Sequence, residues 1–269
     1  MKIEFYYPRW GSEGLSLEHL LKTIKKSGYD GIETGMLPSH DQKLLSKLLD
    51  KYQLKLILQH WETHEADFEL HREKYLTHIR KLVALKPEFI NSHTGKDYFT
   101  FEQNMQLLER AQEISEQSGV KITHETHRGR FSFAAHVTAN FIKSLQSLQL
   151  TLDISHWFCV AESYLEDQQE TLTLAINRTA HIHSRVGCTQ GPQVIDPASV
   201  FYQDALNQHL KIWDGIIKKL RANGATILPV TTEFGPPPYL WVSPKSGKPL
   251  ASQKGNNLFI KNLFIERYS

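Results

Sequence analysis

At 269 residues, with 40% hydrophobic and 22% charged residues, the chain has the size and composition of one globular domain with a full core. Its 31 basic and 29 acidic residues leave a formal net charge of +2, which gives no electrostatic reason to expect nucleic acid or an anionic membrane as partner. Cys159 and Cys188 show no pairing pattern, MKIEFYYPRW turns polar too early for a signal peptide, and no apolar run approaches the roughly 18 residues of a membrane span, so a cytoplasmic location is expected.

Short β-type runs alternate with amphipathic helical stretches along the whole chain. In order, strands are predicted over Lys2–Tyr6, Gly31–Thr34, Leu54–His60, Glu88–His93, Val120–Glu125, Leu150–Asp153, Ala180–Ser184 and Ala225–Glu233. Helices are predicted over Ser16–Ser27, His40–Tyr52, Glu65–Leu85, Phe101–Ser118, Ala134–Leu148, Leu165–Arg178, Tyr202–Asn223 and Gln253–Arg267. Ser27-Gly28, Ser118-Gly119 and Asn223-Gly224 end helices where glycine can take positive φ. No Pro/Gly/Ser-rich linker separates two halves. Eight βα units therefore predict a single-domain (β/α)₈ TIM barrel over residues 1–269, in preference to a doubly wound open sheet. The segments Arg185–Phe201 and Phe234–Ser252 are long and rich in Gly and Pro, and a barrel places such loops at its C-terminal face, where active sites sit.

Acids and histidines gather at the predicted strand ends: ITHETHRGR, LTLDISHW, HIHSRVG and VTTEFGP. Side chains alternate faces with period two along a strand. One consistent parity turns Glu125, Asp153, His183 and Glu233 into the barrel mouth from four adjacent strands. Three carboxylates there would repel one another and be costly to desolvate. One divalent metal ion resolves the conflict, and oxygen-rich ligation with one imidazole suits Mn²⁺, Mg²⁺ or Co²⁺, with Zn²⁺ also compatible. His60, His93 and Glu33 read as inward-facing groups able to touch a substrate. His156, three residues after Asp153, lies near enough to meet the metal or the substrate. His124 reads as outward-facing, while His64, His71 and His78 fall on a polar helix face. Trp10, Trp157 and Trp241 are candidates either for a wall against a sugar ring or for core.

Through Glu125 in HETH, Asp153-x-x-His156, His181-x-His183 and Glu233-Phe234-Gly235-Pro236, the sequence resembles the xylose isomerase-like TIM-barrel superfamily, in its sugar phosphate isomerase/epimerase branch. The resemblance covers essentially the whole chain. It implies an isomerase or epimerase acting on a small-molecule carbohydrate, with Glu125, Asp153, His183 and Glu233 holding the metal. It also implies that Glu125 and Glu233 move the proton and that His156 contacts metal or substrate. Abstraction of a proton α to a carbonyl, through an enediolate, is the reaction it implies. The chain departs from the epimerase pattern after His183, where Arg185 and Gln193 are the candidates for substrate binding. A dehydratase shares the same first step. Endonuclease IV shares the barrel, but its further zinc site uses an Asp-x-His pair where this chain has Asp196-Pro197-Ala198. Self-association into a homo-oligomer is left open.

Overall fold

The computed structural model describes residues 1–268. Its elements are β1 (Lys2–Pro8), α1 (Leu17–Lys26), β2 (Gly31–Thr34), α2 (Ser39–Tyr52), β3 (Lys55–His60), α3 (Phe68–Ala84), β4 (Phe89–Ser92), α4 (Phe101–Ser118), β5 (Lys121–Glu125), α5 (Ala135–Ser144), β6 (Leu150–Leu152), α6 (Ile154–Ala161), α7 (Gln169–Arg178), β7 (Thr179–His183), α8 (Gln203–Ala222), β8 (Ile227–Thr231) and α9 (Gln253–Tyr268). The eight strands pair in parallel in sequence order, and β8 closes on β1 with Thr231 opposite Tyr6. The chain folds as a (β/α)₈ barrel. No helix of the described residues is long and apolar enough to cross a membrane.

The helices form where apolar residues recur at helical spacing and a cap satisfies the first amide groups. Helix α1 buries Leu17, Leu20, Leu21 and Ile24 against the barrel, and Ser16 accepts from the His19 amide. Helix α4 starts with a reciprocal capping box between Thr100 and Gln103 and ends at Gly119, whose φ of 72° closes the helix as expected.

Lumen packing decides which side chains reach the mouth. At the bottom, Lys55 pairs with Glu4 at 2.8 Å, and Tyr6, Ile57 and Phe89 cluster above them. The next layer is polar. Thr123 bonds Thr151 at 2.7 Å, Thr151 bonds His181 at 3.1 Å, and His181 bonds Thr231 at 2.9 Å. Barrel lumens are usually filled with branched aliphatic side chains. Here three threonine hydroxyls and the His181 imidazole satisfy one another in a buried chain instead. An irregularity in the β6–β7 pairing puts Thr151 opposite His181, although Leu150 pairs with Thr179. That one-residue step brings the β7 histidines into line with the other strands.

Two expectations change. Lys55, Ile57 and Gln59 take the inward positions of β3, so His60 points out of the lumen. It packs between the Tyr75 and His78 rings and bonds Thr63 at 2.7 Å. Because the period is two, a parity error of one residue moves a side chain to the other face. The second difference is α6, which follows Asp153 directly and occupies a stretch with no predicted helix.

Candidate metal centre and active site

Four residues meet at the C-terminal mouth of the barrel. Glu125 ends β5, His183 ends β7, Asp153 caps α6, and Glu233 lies two residues beyond β8. One oxygen or nitrogen from each lies within 4.8 Å of the other three. All four side chains are buried. His183 Nδ1 is 2.7 Å from Glu233 Oε2 and 3.5 Å from Glu125 Oε2. Even so, Glu125 Oε1, His183 Nδ1 and Glu233 Oε2 have no partner with hydrogen-bond geometry. Buried donors and acceptors are normally satisfied. Three unsatisfied ones on residues this close together make a group that could hold a divalent cation.

The electrostatics agree. Burial would depress the His183 imidazole, but the carboxylates of Glu233, Glu33 and Glu125 overcome it and hold its pKa well above the ordinary value. The same negative potential favours a cation beside Nδ1. Burial would raise Glu125, yet His93 and His183 keep its carboxyl well below the usual range. Asp153 is pushed up to about 6, first by burial, against the attraction of Arg185.

A second layer of side chains orients these groups. Glu33 of β2 reaches His183 Nε2 at 3.0 Å and accepts from Thr231 at 2.5 Å. Asn91 of β4 donates to Glu33 at 3.0 Å and to Glu125 at 2.8 Å. His93 Nε2 lies 2.8 Å from Glu125 Oε2. Asn91 escaped the sequence reading, although it stands two residues before His93 on the same face. Gln59, which approaches Glu233 at 3.5 Å, was missed because β3 was read with the opposite parity.

Asp153 is fully engaged. Oδ1 accepts from the Ser155 amide at 3.0 Å and its hydroxyl at 2.5 Å, which starts α6. Oδ2 accepts from Arg185 Nη2. Arg185 is buried, bonds His156 Nε2 at 2.7 Å, and lies over the Tyr239 ring.

Above the centre opens a cavity of about 490 Å³. Glu33, Glu125, Glu233 and Arg185 form part of its floor, with His93 and His127 alongside. His127 sits between two imidazoles, 4.4 Å from the His93 ring and 4.0 Å from that of His156. His156 is buried behind this stack and does not line the cavity. Gln193 does not line it either. Its side chain clamps the backbone of Gly235 on both sides, at 2.7 and 3.2 Å, and so joins the loop after β7 to the loop after β8. His64, expected on a helix face, instead precedes α3 and faces the cavity, whereas His71 is buried within that helix. Trp10 lines the cavity edge-on to Tyr239, and a Cβ on Gly235 would collide with its ring at 2.3 Å. Trp157 is core, its indole N–H bonded to Ser132 O, and Trp241 is exposed away from the cavity.

Comparison with known proteins bears on the family and the fold. A family model described as xylose isomerase-like TIM barrel matches residues 21–237. Inosose dehydratase of Mesomycoplasma hyopneumoniae is 25% identical over 197 residues, 65% of this chain, and the match spans 64% of that relative's length. Among solved structures, the probable 3-DHS dehydratase AsbF of Bacillus anthracis aligns with 99% of this chain and 100% of its own, at TM-score 0.62 and 15% identity. A xylose isomerase-like TIM barrel protein of Mycobacterium smegmatis in complex with magnesium aligns over 99% and 98%, at 0.58 and 12%. A sugar phosphate isomerase/epimerase of Parabacteroides distasonis aligns over 97% and 93%, at 0.60 and 15%. At these identities the structural likeness concerns the fold.

Proposed function

The chain belongs to the xylose isomerase-like TIM-barrel family, and from that premise we propose a metal-dependent enzyme that removes a proton α to the carbonyl of a sugar or related polyhydroxy compound and completes an isomerisation or epimerisation. The observation that carries this reading is the closeness of Glu125, His183 and Glu233, each with an unpartnered atom, and Asp153 at the base of a cavity that Glu125 and Glu233 line. A divalent cation held by these four residues (Mn²⁺, Mg²⁺, Co²⁺ or Zn²⁺) would supply the Lewis acidity that polarises the carbonyl and acidifies the adjacent C–H.

The chain's own groups handle the proton. Glu233 lines the cavity, and with Oε2 turned to His183 and the cation its other oxygen, Oε1, which Gln59 approaches at 3.5 Å, is the one assigned to accept the proton. Glu125 is held by Asn91 and His93 and stays ionised. His93, which also faces the cavity, is the group proposed to exchange a proton with Glu125 on the second face of the substrate. The floor is buried, so bulk water competes little with these transfers.

Dehydration is the second reading, and the match to inosose dehydratase favours it. It begins with the same abstraction and then expels a β-hydroxyl, which the His93–Glu125 pair would protonate. The test is incubation of Mn²⁺-loaded protein with ketoses and inososes in D₂O, followed by NMR. Deuterium at the carbon α to the carbonyl, with every hydroxyl retained, marks isomerisation or epimerisation. Loss of water marks dehydration. Full metal occupancy with no exchange on any member of the panel would sink both.

A further inference from the structure

Two arginines in the cavity carry charges that nothing in the proposed reaction uses. Arg130, in the loop after β5, is 6% exposed and lines the cavity. Its guanidinium donates to Thr63 O at 3.1 Å and Trp61 O at 2.9 Å, and both acceptors are neutral carbonyls. Arg9, just beyond β1, lines the same cavity with a buried Nε that has no hydrogen-bond partner. Neither arginine has an ion-pair partner among the described residues. By contrast, Arg185 pairs with Asp153 and Arg267 pairs with Asp214.

A buried guanidinium without a counter-charge is costly, and proteins normally pair it. No acid lining the cavity comes within ion-pair distance of either guanidinium among the described residues, although Glu125 and Glu62 attract Arg130 from farther away. Glu33, Glu125 and Glu233 are committed to His183 and its neighbours on the floor. Glu62 accepts from the Trp61 amide, and Glu13 accepts from the Gly11 amide. The cavity therefore has an acidic floor and two unpaired cations elsewhere in its wall, with Trp10, Met36 and Trp61 supplying apolar surface.

We propose that Arg9 and Arg130 form an anion subsite, so that the substrate is a polyhydroxy carbonyl compound bearing a carboxylate or a phosphate monoester at the end remote from the reacting carbonyl. The inference rests on the metal-dependent reading above, because the floor must take the carbonyl end. A guanidinium binds either anion through charge-assisted, often bidentate hydrogen bonds.

Three ketoses that differ only at C6 supply the test: D-fructose, D-fructuronate and D-fructose 6-phosphate. Each is titrated calorimetrically into Mn²⁺-loaded protein. At least one anion is expected to bind about ten-fold or more tightly than fructose. Which anion gains distinguishes carboxylate from phosphate. In Arg9→Gln and Arg130→Gln the anion-to-fructose affinity ratio should fall toward one. Arg130 also holds two loop carbonyls, so circular dichroism checks its fold, and Arg9→Gln carries the test if that variant unfolds. No advantage of either anion in the wild type, with Mn²⁺ bound, overturns the subsite and leaves the metal reading standing. An advantage that survives unchanged in Arg9→Gln also overturns it. Failure of the wild type to bind Mn²⁺ at all overturns the underlying reading, and the subsite with it.

Discussion

Glu33 Oε2 stands 3.0 Å from His183 Nε2, on the edge of the imidazole opposite the one that faces Glu233 at 2.7 Å. A carboxylate from β2 thus fixes the ring orientation of a histidine on β7. Replacing Glu33 with Gln keeps the shape but weakens this hold. Loss of such a supporting partner typically costs about 10–100-fold in metal affinity, and Glu33→Gln should show that drop in a Mn²⁺ titration. Asp153→Ala and His183→Ala should lose metal outright. Wild-type affinity in Glu33→Gln would reduce Glu33 to a lumen filler.

Arg185 and Asp153 form an ion pair in which both side chains are buried. Arg185→Met leaves the Asp153 carboxylate without its counter-charge. Breaking such a pair typically costs about 3–5 kcal/mol, so the metal-free variant should unfold at markedly lower urea. Added Mn²⁺ should recover more stability in the variant than in the wild type, since a cation there also neutralises Asp153. Equal metal-free stability of the two proteins would contradict this.

Glu125 and Glu233 are not equivalent, since only Glu125 is held by Asn91 and His93. Each Glu→Gln change should lower turnover by about 10²–10⁴-fold, the usual span of general acid–base catalysis. The asymmetry should appear in D₂O. Glu233→Gln should abolish solvent exchange at the substrate carbon, whereas Glu125→Gln should retain exchange while losing product. Near-normal turnover in Glu233→Gln would remove it as the base and leave His93 as the next group to test.

Burial holds His209 of α8 down to about 4, with Nδ1 bonded to Ala205 O at 2.8 Å. Its folded pKa lies below the unfolded value near 6.5, so the unfolded chain binds more protons between those limits. Its contribution is therefore fully present above about pH 6.5 and is lost as pH falls toward 4. By pH 5 the loss from this residue is about 2 kcal/mol. Urea midpoints of the wild type and His209→Gln at pH 7.5 and pH 5 measure it, and the variant should show the smaller drop. Parallel pH dependence in both proteins would contradict the assignment.

Asp196-Pro197-Ala198 offers no histidine where endonuclease IV has an Asp-x-His pair, and the net charge is only +2. Purified, Mn²⁺- or Zn²⁺-loaded protein should leave abasic duplex DNA intact on a denaturing gel. Metal-dependent cleavage that vanishes in His183→Ala would replace the isomerase reading with a nuclease.

What the sequence determined by itself is the periodic part of this molecule. Alternating strand and helix patterns set eight βα units, and the period of two along HETH, LTLD, HIH and TTE was enough to turn Glu125, Asp153, His183 and Glu233 to one face. These are local properties of short segments, written in the spacing of neighbouring residues. Tertiary structure decided the rest. Whether Gln59 or His60 entered the lumen depended on how Lys55 met Glu4 across the barrel floor. The pairing of Arg185 with Asp153, the support of His183 by Glu33, and the clamp of Gln193 on Gly235 join residues between 32 and 150 positions apart. Closure of the barrel creates those contacts, and burial gives them their strength by removing the water that would otherwise screen each charge and satisfy each polar atom.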